Sequence, residues 1–377
     1  MLELEEGHDP IEAAQALIAA GKAGEAAQGL KARLAAGRGG LLARLTLVEA
    51  LVAAGDTQGA LEEAREAVSL NPNIAVAVLG LGEALLAADV LPTAIAELQR
   101  ALRIDPDLPR ARELIAVAWL KAGEADKALE ALGALERSPQ VDAMIAAAQA
   151  IKTAPRSDAG YVRHLFDQFS ADYDARMIGQ LSYAGPQILL DLAAMVMPGR
   201  LGASAGSIAI AYGRATIEKG LSILDLGCGT GLAGAVFKPL ASKLDGVDLS
   251  PAMIEKARAR GLYDQLMVAD LETALAEAGP RYDLILAADT LVYLGDLRGV
   301  FNGVRARLAP EGYFLFTTEA KSGDGFELGP KRRWRHSDAY LRATAQAAGL
   351  SLAGLVAATP RFEANQPVEG FAVALTA

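Results

Sequence analysis

Two patterns of apolar and polar positions divide the chain. Over the first 150 residues the pattern repeats at long range. A turn residue stands at Gly21, Gly55, Asp89 and Gly123, each 34 residues after the last. Alanine keeps that step at Ala16, Ala50, Ala84 and Ala118, and again at Ala26, Ala60, Ala94 and Ala128. "SLNP" at Ser69–Pro72 and "RIDP" at Arg103–Pro106 share it. A period of this length predicts a helix–turn–helix unit stacked into a solenoid. Alanine lets two helices cross closely, the turn residue breaks the pair, and proline ends the second helix. Stacked units leave a concave face that binds a partner or packs on a neighbouring domain. The sequence does not choose between those uses.

From Leu221 the pattern becomes short apolar runs separated by helical stretches. Predicted strands are "LSILDL", "LDGVDL", "LMVADL", "YDLILAADT" and "GYFLFTTE", with helices such as "SPAMIEKARARG" and "GDLRGVFNGVRARLAP" between them. This order predicts a parallel sheet covered on both faces. The end differs: helix "SDAYLRATAQAAG" leads to "LSLAGLVAATP" and, after a turn, "GFAVALTA". Two strands this close in sequence are expected to pair antiparallel. Residues 138–160 hold a short helix and a stretch rich in Pro, Ser and Gly. The expected division is a repeat domain over 1–152, a linker over 153–160 and a second domain over 161–377.

Composition narrows the functional classes. The net charge of −10 is uneven: residues 1–150 hold 22 acids and 13 bases, and residues 151–377 hold 24 and 23. An acidic chain disfavours nucleic acid as the main partner. The N-terminus lacks a secretory apolar region and no run reaches membrane-spanning length, so no membrane partner and a cytoplasmic location are expected. Cys228 is the only cysteine, and with His8, His164 and His336 it makes no convincing metal site.

The chemistry concentrates at "ILDLGCGTG" (Ile223–Gly231). A strand that ends in a glycine loop and opens a helix turns backbone N–H groups toward a ligand, and glycine lets that ligand approach the main chain. Asp248, about 20 residues on at the end of the next strand, suits a ribose. This geometry fits any adenosine cofactor. The dinucleotide pattern G-x-G-x-x-G is met by Gly229, Gly231 and Gly234, yet counted from Gly227, where the strand ends, it fails at Leu232. Asp225 precedes the glycines, where dinucleotide folds usually continue apolar, and Asp270 ends the third strand.

"VLGLGEALLAADVLPTAIAELQRALRIDP" (Val78–Pro106) resembles tetratricopeptide repeats, a resemblance that covers roughly residues 8–137. "ILDLGCGTG", "GVDLSPAMIEKAR", "VADLE" and "YDLILAADTLVYLGDL" resemble the successive motifs of class I S-adenosylmethionine-dependent methyltransferases, over roughly 160–377. The resemblance implies an α/β fold: a seven-stranded Rossmann-like sheet with an antiparallel last strand, preceded by the all-α repeat solenoid. It implies S-adenosylmethionine as cofactor. Gly227, Cys228, Gly229 and Gly231 would approach the methionine part, Asp248 the ribose and Asp270 the adenine amine. Leu249, Met253 and Leu271 would line the adenine pocket. Asp225 would either bond the loop amides or reach the cofactor.

In "YVRHLFDQFSADYDARM" (Tyr161–Met177), Tyr161 and Tyr173 match a covering segment loosely, and packing onto the sheet explains them equally well. "KRRWRHSDAY" (Lys331–Tyr340) is expected at the carboxyl edge of the sheet, as an anion-binding segment or a solvated basic loop. His336 is a candidate general base or helix-capping residue, and Tyr293 belongs to a loop framing the acceptor. The expected activity is methyl transfer to an unidentified acceptor, small molecule or protein, with the basic segment biasing it toward an anion. The repeats would serve partner binding, oligomerisation or packing. A nucleotide-cofactor oxidoreductase, and a repeat scaffold with a non-catalytic cofactor domain, stand as alternatives.

Overall fold

The structure, a computed structural model, describes residues 9–198, 220–329 and 331–377. His8 and the acidic N-terminus lie outside the described residues. The chain divides into two compact units between Thr153 and Ala154.

In the first unit the described helices are α1 (Pro10–Ala19), α2 (Ala23–Ala35), α3 (Leu41–Ala53), α4 (Thr57–Leu70), α5 (Ala75–Ala87), α6 (Leu91–Ile104), α7 (Pro109–Lys121), α8 (Ala125–Gly133) and α9 (Pro139–Thr153). Gly21, Gly55, Asp89 and Gly123 all take left-handed φ, of 75°, 79°, 59° and 65°. Each closes the same cap. After α3, for example, Gly55 N–H donates to the carbonyl of Val52 and Asp56 N–H to that of Leu51. This double bond pattern satisfies the last carbonyls of the helix and needs a left-handed residue. Ala50, Ala60, Ala84, Ala94, Ala118 and Ala128 are fully buried, so close helix crossing accounts for the periodic alanines. Ala16 is the exception: it is exposed, on a helix whose neighbours among the described residues are α2 and α3. The "short helix" expected after residue 138 is α9, running the full Pro139–Thr153.

In the second unit, helix α10 (Ala159–Phe169), a π-helical turn (Arg176–Gln180) and α11 (Gly185–Val196) precede the sheet. The strands are β1 (Leu221–Leu226), β2 (Ala241–Asp248), β3 (Gln265–Val268), β4 (Tyr282–Ala287), β5 (Leu308–Ala320), β6 (Phe326–Leu328), β7 (Trp334–His336), β8 (Ser351–Ala358), β9 (Phe362–Glu363), β10 (Gln366–Pro367) and β11 (Gly370–Thr376). The main path runs β3-β2-β1-β4-β5-β11-β8, and β11 is antiparallel to both its neighbours. The reversed strand departs from the 3-2-1-4-5-6 order of dinucleotide folds.

Period-two alternation sorts each strand's side chains between two cores. Leu224, Leu226, Ile285, Phe314 and Phe316 face one, with Val300, Phe301 and Leu341 above them. Ile223, Leu284, Leu286 and Leu315 face the other, against Leu189, Leu192 and Phe237. The covering helices on the first face are α14 (Leu271–Ala276), α15 (Arg298–Arg307) and α16 (Asp338–Ala347); α11 and α12 (Leu232–Phe237) cover the second. Helix α13 (Pro251–Ala259) follows β2.

Two local expectations change. Residues 154–160, read as linker, pack within the second unit: Arg156 bridges to Leu294, and Asp158 caps α10 through the N–H of Tyr161. The basic segment is not a loop throughout. Trp334–His336 forms β7, whose Arg335 and His336 pair with Glu319 and Ala320 of β5.

Candidate functional site

The four parallel strands β3, β2, β1 and β4 end on one edge, and a cleft opens there. The chain after β1 shapes its floor. Gly227 and Cys228 N–H both donate to the carbonyl of Val247, at 2.8 and 3.0 Å, which bends the loop across the end of β2. Gly227, Gly229 and Gly231 have φ of 69°, 54° and 92°. A Cβ on Gly227 would strike Thr290, whereas one on Gly229 would meet nothing within 4 Å, so Gly229 presents bare backbone to space a ligand can fill.

Asp248 lies beside it at the end of β2. Its carboxylate accepts the N–H of Gly229 and that of Ser250, each at 2.8 Å. Burial raises its pKa, and these amide bonds counter the shift. Ser250 starts α13 by accepting the N–H of Met253, and its hydroxyl donates to Asp167 of α10 at 2.5 Å.

Residues from Ala154 to Leu181 roof the cleft. Pro155 accepts the N–H groups of Gly295 and Asp296, and Ser157 N–H donates to Tyr293. Arg156 is thereby placed to pair with Asp270 and Glu272. Asp270 also caps α14 through the N–H of Glu272 and Thr273. Farther along, Asp174 accepts the Thr230 hydroxyl and pairs with Arg260. Phe166 meets the rings of Tyr173 and Tyr293 edge-on, at 6.0 and 5.5 Å between centroids. Burial raises both tyrosines, so their hydroxyls keep their protons at neutral pH.

Asp289, after β4, closes the end of the cleft in the left-handed conformation, φ 57°. It accepts from Arg361, at 2.5 Å, and from Arg333. Arg361 is fully buried and also reaches Glu319 and Glu363. Burial works upward on Glu363, but hydrogen bonds from Lys331 and Arg361 and the charges of Arg361 and Arg333 hold it at about 2.

Of the residues singled out in the sequence, Gly227, Gly229, Asp248, Leu249, Asp270, Leu271, Tyr173 and Tyr293 line the cleft. Asp225, Cys228 and Met253 are buried outside its lining. Gly231 opens α12, and Tyr161 lies under the Arg332 guanidinium, 4.1 Å from the ring centre. His336 does not reach the cleft. It is fully buried, with Nδ1 against the Thr318 hydroxyl and Nε2 against the Gly295 carbonyl, so Nε2 carries the proton. Desolvation lowers its pKa to about 4, which suits a neutral core side chain and not a base at the mouth. Ser337, and not His336, is the N-cap of α16, accepting the N–H of Tyr340. Lys331, Arg333 and Arg335 pair with Glu363, Asp289 and Glu319, so the basic segment faces acids of its own unit.

Sequence reasoning missed Arg156, Phe166, Asp289 and Thr290 in the lining. Only Asp289 carried a signal, an acid after a strand end just as Asp248 is. Among the described residues, no group of His, Cys, Asp and Glu is placed to hold a metal ion, and no helix is long and apolar enough to cross a membrane.

Comparison with known proteins matches a different family on each side of Thr153. The methyltransferase-domain family matches residues 224–314, and the tetratricopeptide-repeat family matches 45–109 and 92–143. Human methyltransferase-like protein 27 is 30% identical over 155 residues, which are 41% of this chain and 54% of that protein. Malonyl-[acyl-carrier protein] O-methyltransferase of Acetivibrio thermocellus is 33% identical over 100 residues, 26% of this chain and 35% of that one. The chain spans about half or less of the length of such curated relatives. Among solved structures, magnesium protoporphyrin IX methyltransferase of Synechocystis with bound SAH aligns at TM-score 0.43 and 20% identity, covering 58% of this chain and 99% of that one.

Proposed function

We propose that this chain, which carries a methyltransferase domain and tetratricopeptide repeats, transfers a methyl group from S-adenosylmethionine to an acceptor entering beside Tyr173, Tyr293 and Asp289. The observation that carries the reading is Asp248: a buried acid that braces a bare glycine amide and still faces the cleft. The residues present fit the cofactor. Gly229 leaves room for the methionine part, Asp248 can accept ribose hydroxyls, and Leu249 and Leu271 line the same cleft as Asp270.

Bound S-adenosylmethionine would supply an electrophilic methyl group on a sulfonium, which leaves as a neutral thioether. The protein's work is then alignment and exclusion of water. The Asp167–Ser250 and Asp174–Thr230 bonds hold the roof over the glycine loop. Tyr173 and Tyr293 stay protonated and serve as hydrogen-bond donors. An acceptor that arrives deprotonated, or as a neutral amine, needs no base.

Asp289 and Arg333 set the polarity of the acceptor end. An anionic acceptor would draw Arg333 from its carboxylates; a hydroxyl or amine could bond Asp289 without that cost. The relative named malonyl-[acyl-carrier protein] O-methyltransferase makes a carboxylate one candidate acceptor. The repeats, on this reading, bind a protein partner. Calorimetry with S-adenosylmethionine, S-adenosylhomocysteine and NAD tests the cofactor: binding of the first two and not the third is expected, and tight NAD binding would overturn it. Transfer of label from the cofactor into candidate acceptors then identifies the second substrate.

A further inference from the structure

The glycine pattern of the loop holds one residue more than the cofactor reading uses. Gly234 lies inside α12, turned from the cleft. A Cβ there would sit 2.2 Å from the hydroxyl of Tyr263 and 2.5 Å from its Cζ. A Cβ on Gly231 would come within 3.1 Å of the same ring, and one on Gly246 of β2 within 2.9 Å. All three glycines therefore make room for one tyrosine. Its hydroxyl passes between them and donates to Asp225 at 2.7 Å. Asp225 is 1% exposed, and its second oxygen has no partner among the described residues.

The turn that carries Tyr263 is itself fixed. Asp264 N–H donates to the Leu244 carbonyl and its carboxylate accepts the Leu244 N–H, both at 2.7 Å. Arg260, in the same turn, donates to the Thr230 carbonyl of the glycine loop at 2.5 Å. The loop is thus braced from behind by a segment that does not line the cleft.

We infer that Tyr263 is a positioning residue for the cofactor loop: its ring, seated among Gly231, Gly234 and Gly246, and its bond to Asp225 hold Gly227–Gly231 in the ligand-accepting conformation. The inference rests on the cofactor reading for its effect on affinity, and on the packing alone for its effect on the loop. It also explains why a dinucleotide pattern matches here: the last glycine of that match, Gly234, answers to Tyr263.

Asp225 adds a titration to the geometry. Burial raises it to about 7, the Tyr263 hydrogen bond opposes that rise, and the charge of Asp248 adds to it. The other titratable groups acting on it are Cys228 in the loop and Tyr183 before α11, both raised by burial and so neutral. An ionised Asp225 favours a ligand that brings positive charge. Affinity for S-adenosylmethionine should then rise from pH 6 to pH 8.

The test uses the full chain and Tyr263→Phe, which keeps the ring and removes the hydroxyl. Amide exchange of residues 227–234 in the free protein should quicken about tenfold, as one charge-assisted hydrogen bond is lost. S-adenosylmethionine affinity at pH 7 should fall about tenfold, and the midpoint of its pH dependence should move upward. Asp225→Asn, which still accepts the hydroxyl but does not titrate, should flatten that pH profile while the loop stays protected. Unchanged exchange in Tyr263→Phe overturns the inference, as does faster exchange with unchanged affinity and midpoint. If the wild-type chain binds neither S-adenosylmethionine nor S-adenosylhomocysteine, the cofactor reading fails, and the exchange measurement still decides whether Tyr263 braces the loop.

Discussion

Asp248→Ala separates two roles that the structure gives one carboxylate. It accepts the N–H of Gly229, which is partly buried, and that of Ser250, which is buried. Orphaning a buried donor costs about 1–3 kcal/mol, and the partial exposure of Gly229 puts its share at the low end. The folding cost should thus be about 2–4 kcal/mol. In a domain of this size each kcal/mol moves the melting temperature by about 2–4 °C, so a fall of roughly 5–15 °C is expected. Ribose hydroxyls bonded to a carboxylate contribute about 1.5–3 kcal/mol, so S-adenosylmethionine affinity of the folded variant should fall roughly ten- to 150-fold. Calorimetry well below the melting temperature reads the second effect apart from the first, and S-adenosylhomocysteine should show the same loss. A lowered melting temperature with unchanged affinity would leave Asp248 as a loop brace only and remove the central support for the proposed function. An unchanged melting temperature would refute the two amide bonds.

Four further outcomes follow from particular residues. Asp89 occupies the left-handed turn position that glycine holds in the other repeats, and Asp89→Gly should stabilise the repeat unit by about 0.5–1 kcal/mol in urea titration, net of its exposed pair with Lys121. His336 is held neutral, with a folded pKa of about 4 against about 6.5 unfolded. Its contribution is fully present above pH 6.5 and is lost as pH falls toward 4, by up to about 3 kcal/mol, so the drop in unfolding free energy between pH 7.5 and pH 5 should be smaller in His336→Gln than in wild type. Arg361→Leu removes the fully buried cation that Asp289, Glu319 and Glu363 share, leaving them only Arg333, Arg335 and Lys331, and should cost about 3–5 kcal/mol, read as a lower melting temperature; a neutral effect would show that the buried pairs are dispensable. A fragment beginning at Ala154 keeps Pro155 and Arg156 in the roof and should fold and bind S-adenosylmethionine; a folded fragment without binding would overturn the placement of the whole site in residues 154–377.

The repeats were legible because one physical demand recurs at one spacing. Close helix crossings admit only small residues, and each cap needs a left-handed residue, so Ala60, Ala94 and Ala128 and Gly21, Gly55 and Gly123 mark the unit without any long-range information. The Asp248 side of the cleft was legible for a related reason. Asp248 and Asp270 follow strand ends, and strand ends in such sheets share one edge. The Asp289 end of the cleft was not legible. Arg361 and Asp289 lie 72 residues apart, and nothing local marks either as the partner of the other. The basic run Lys331–Arg335 looked solvated or anion-binding because its partners, Asp289, Glu319 and Glu363, arrive from three distant segments. His336 misled for a similar reason: its two hydrogen bonds come from Thr318 and Gly295, so its burial depends on tertiary placement alone.

The glycine loop shows the same limit from inside a motif. Gly227 is small because Thr290, after β4, fills the space a side chain would take. Gly229 is small because a ligand-sized space lies against it. Gly231 and Gly234 are small because Tyr263 stands behind them. A pattern of glycines records only that something approaches the backbone, and here a threonine, a ligand space and a tyrosine do so from different sides. Substitutions in the loop should accordingly fail differently. Gly229→Ala fills the cleft and strains a φ of 54°, so it should act on ligand affinity more than on the brace. Gly234→Ala collides with the Tyr263 ring and should free Asp225 from its donor, reproducing the pH shift expected of Tyr263→Phe. Agreement between those two variants, which alter the same contact from opposite sides, would tie the shift to the brace and not to either residue alone.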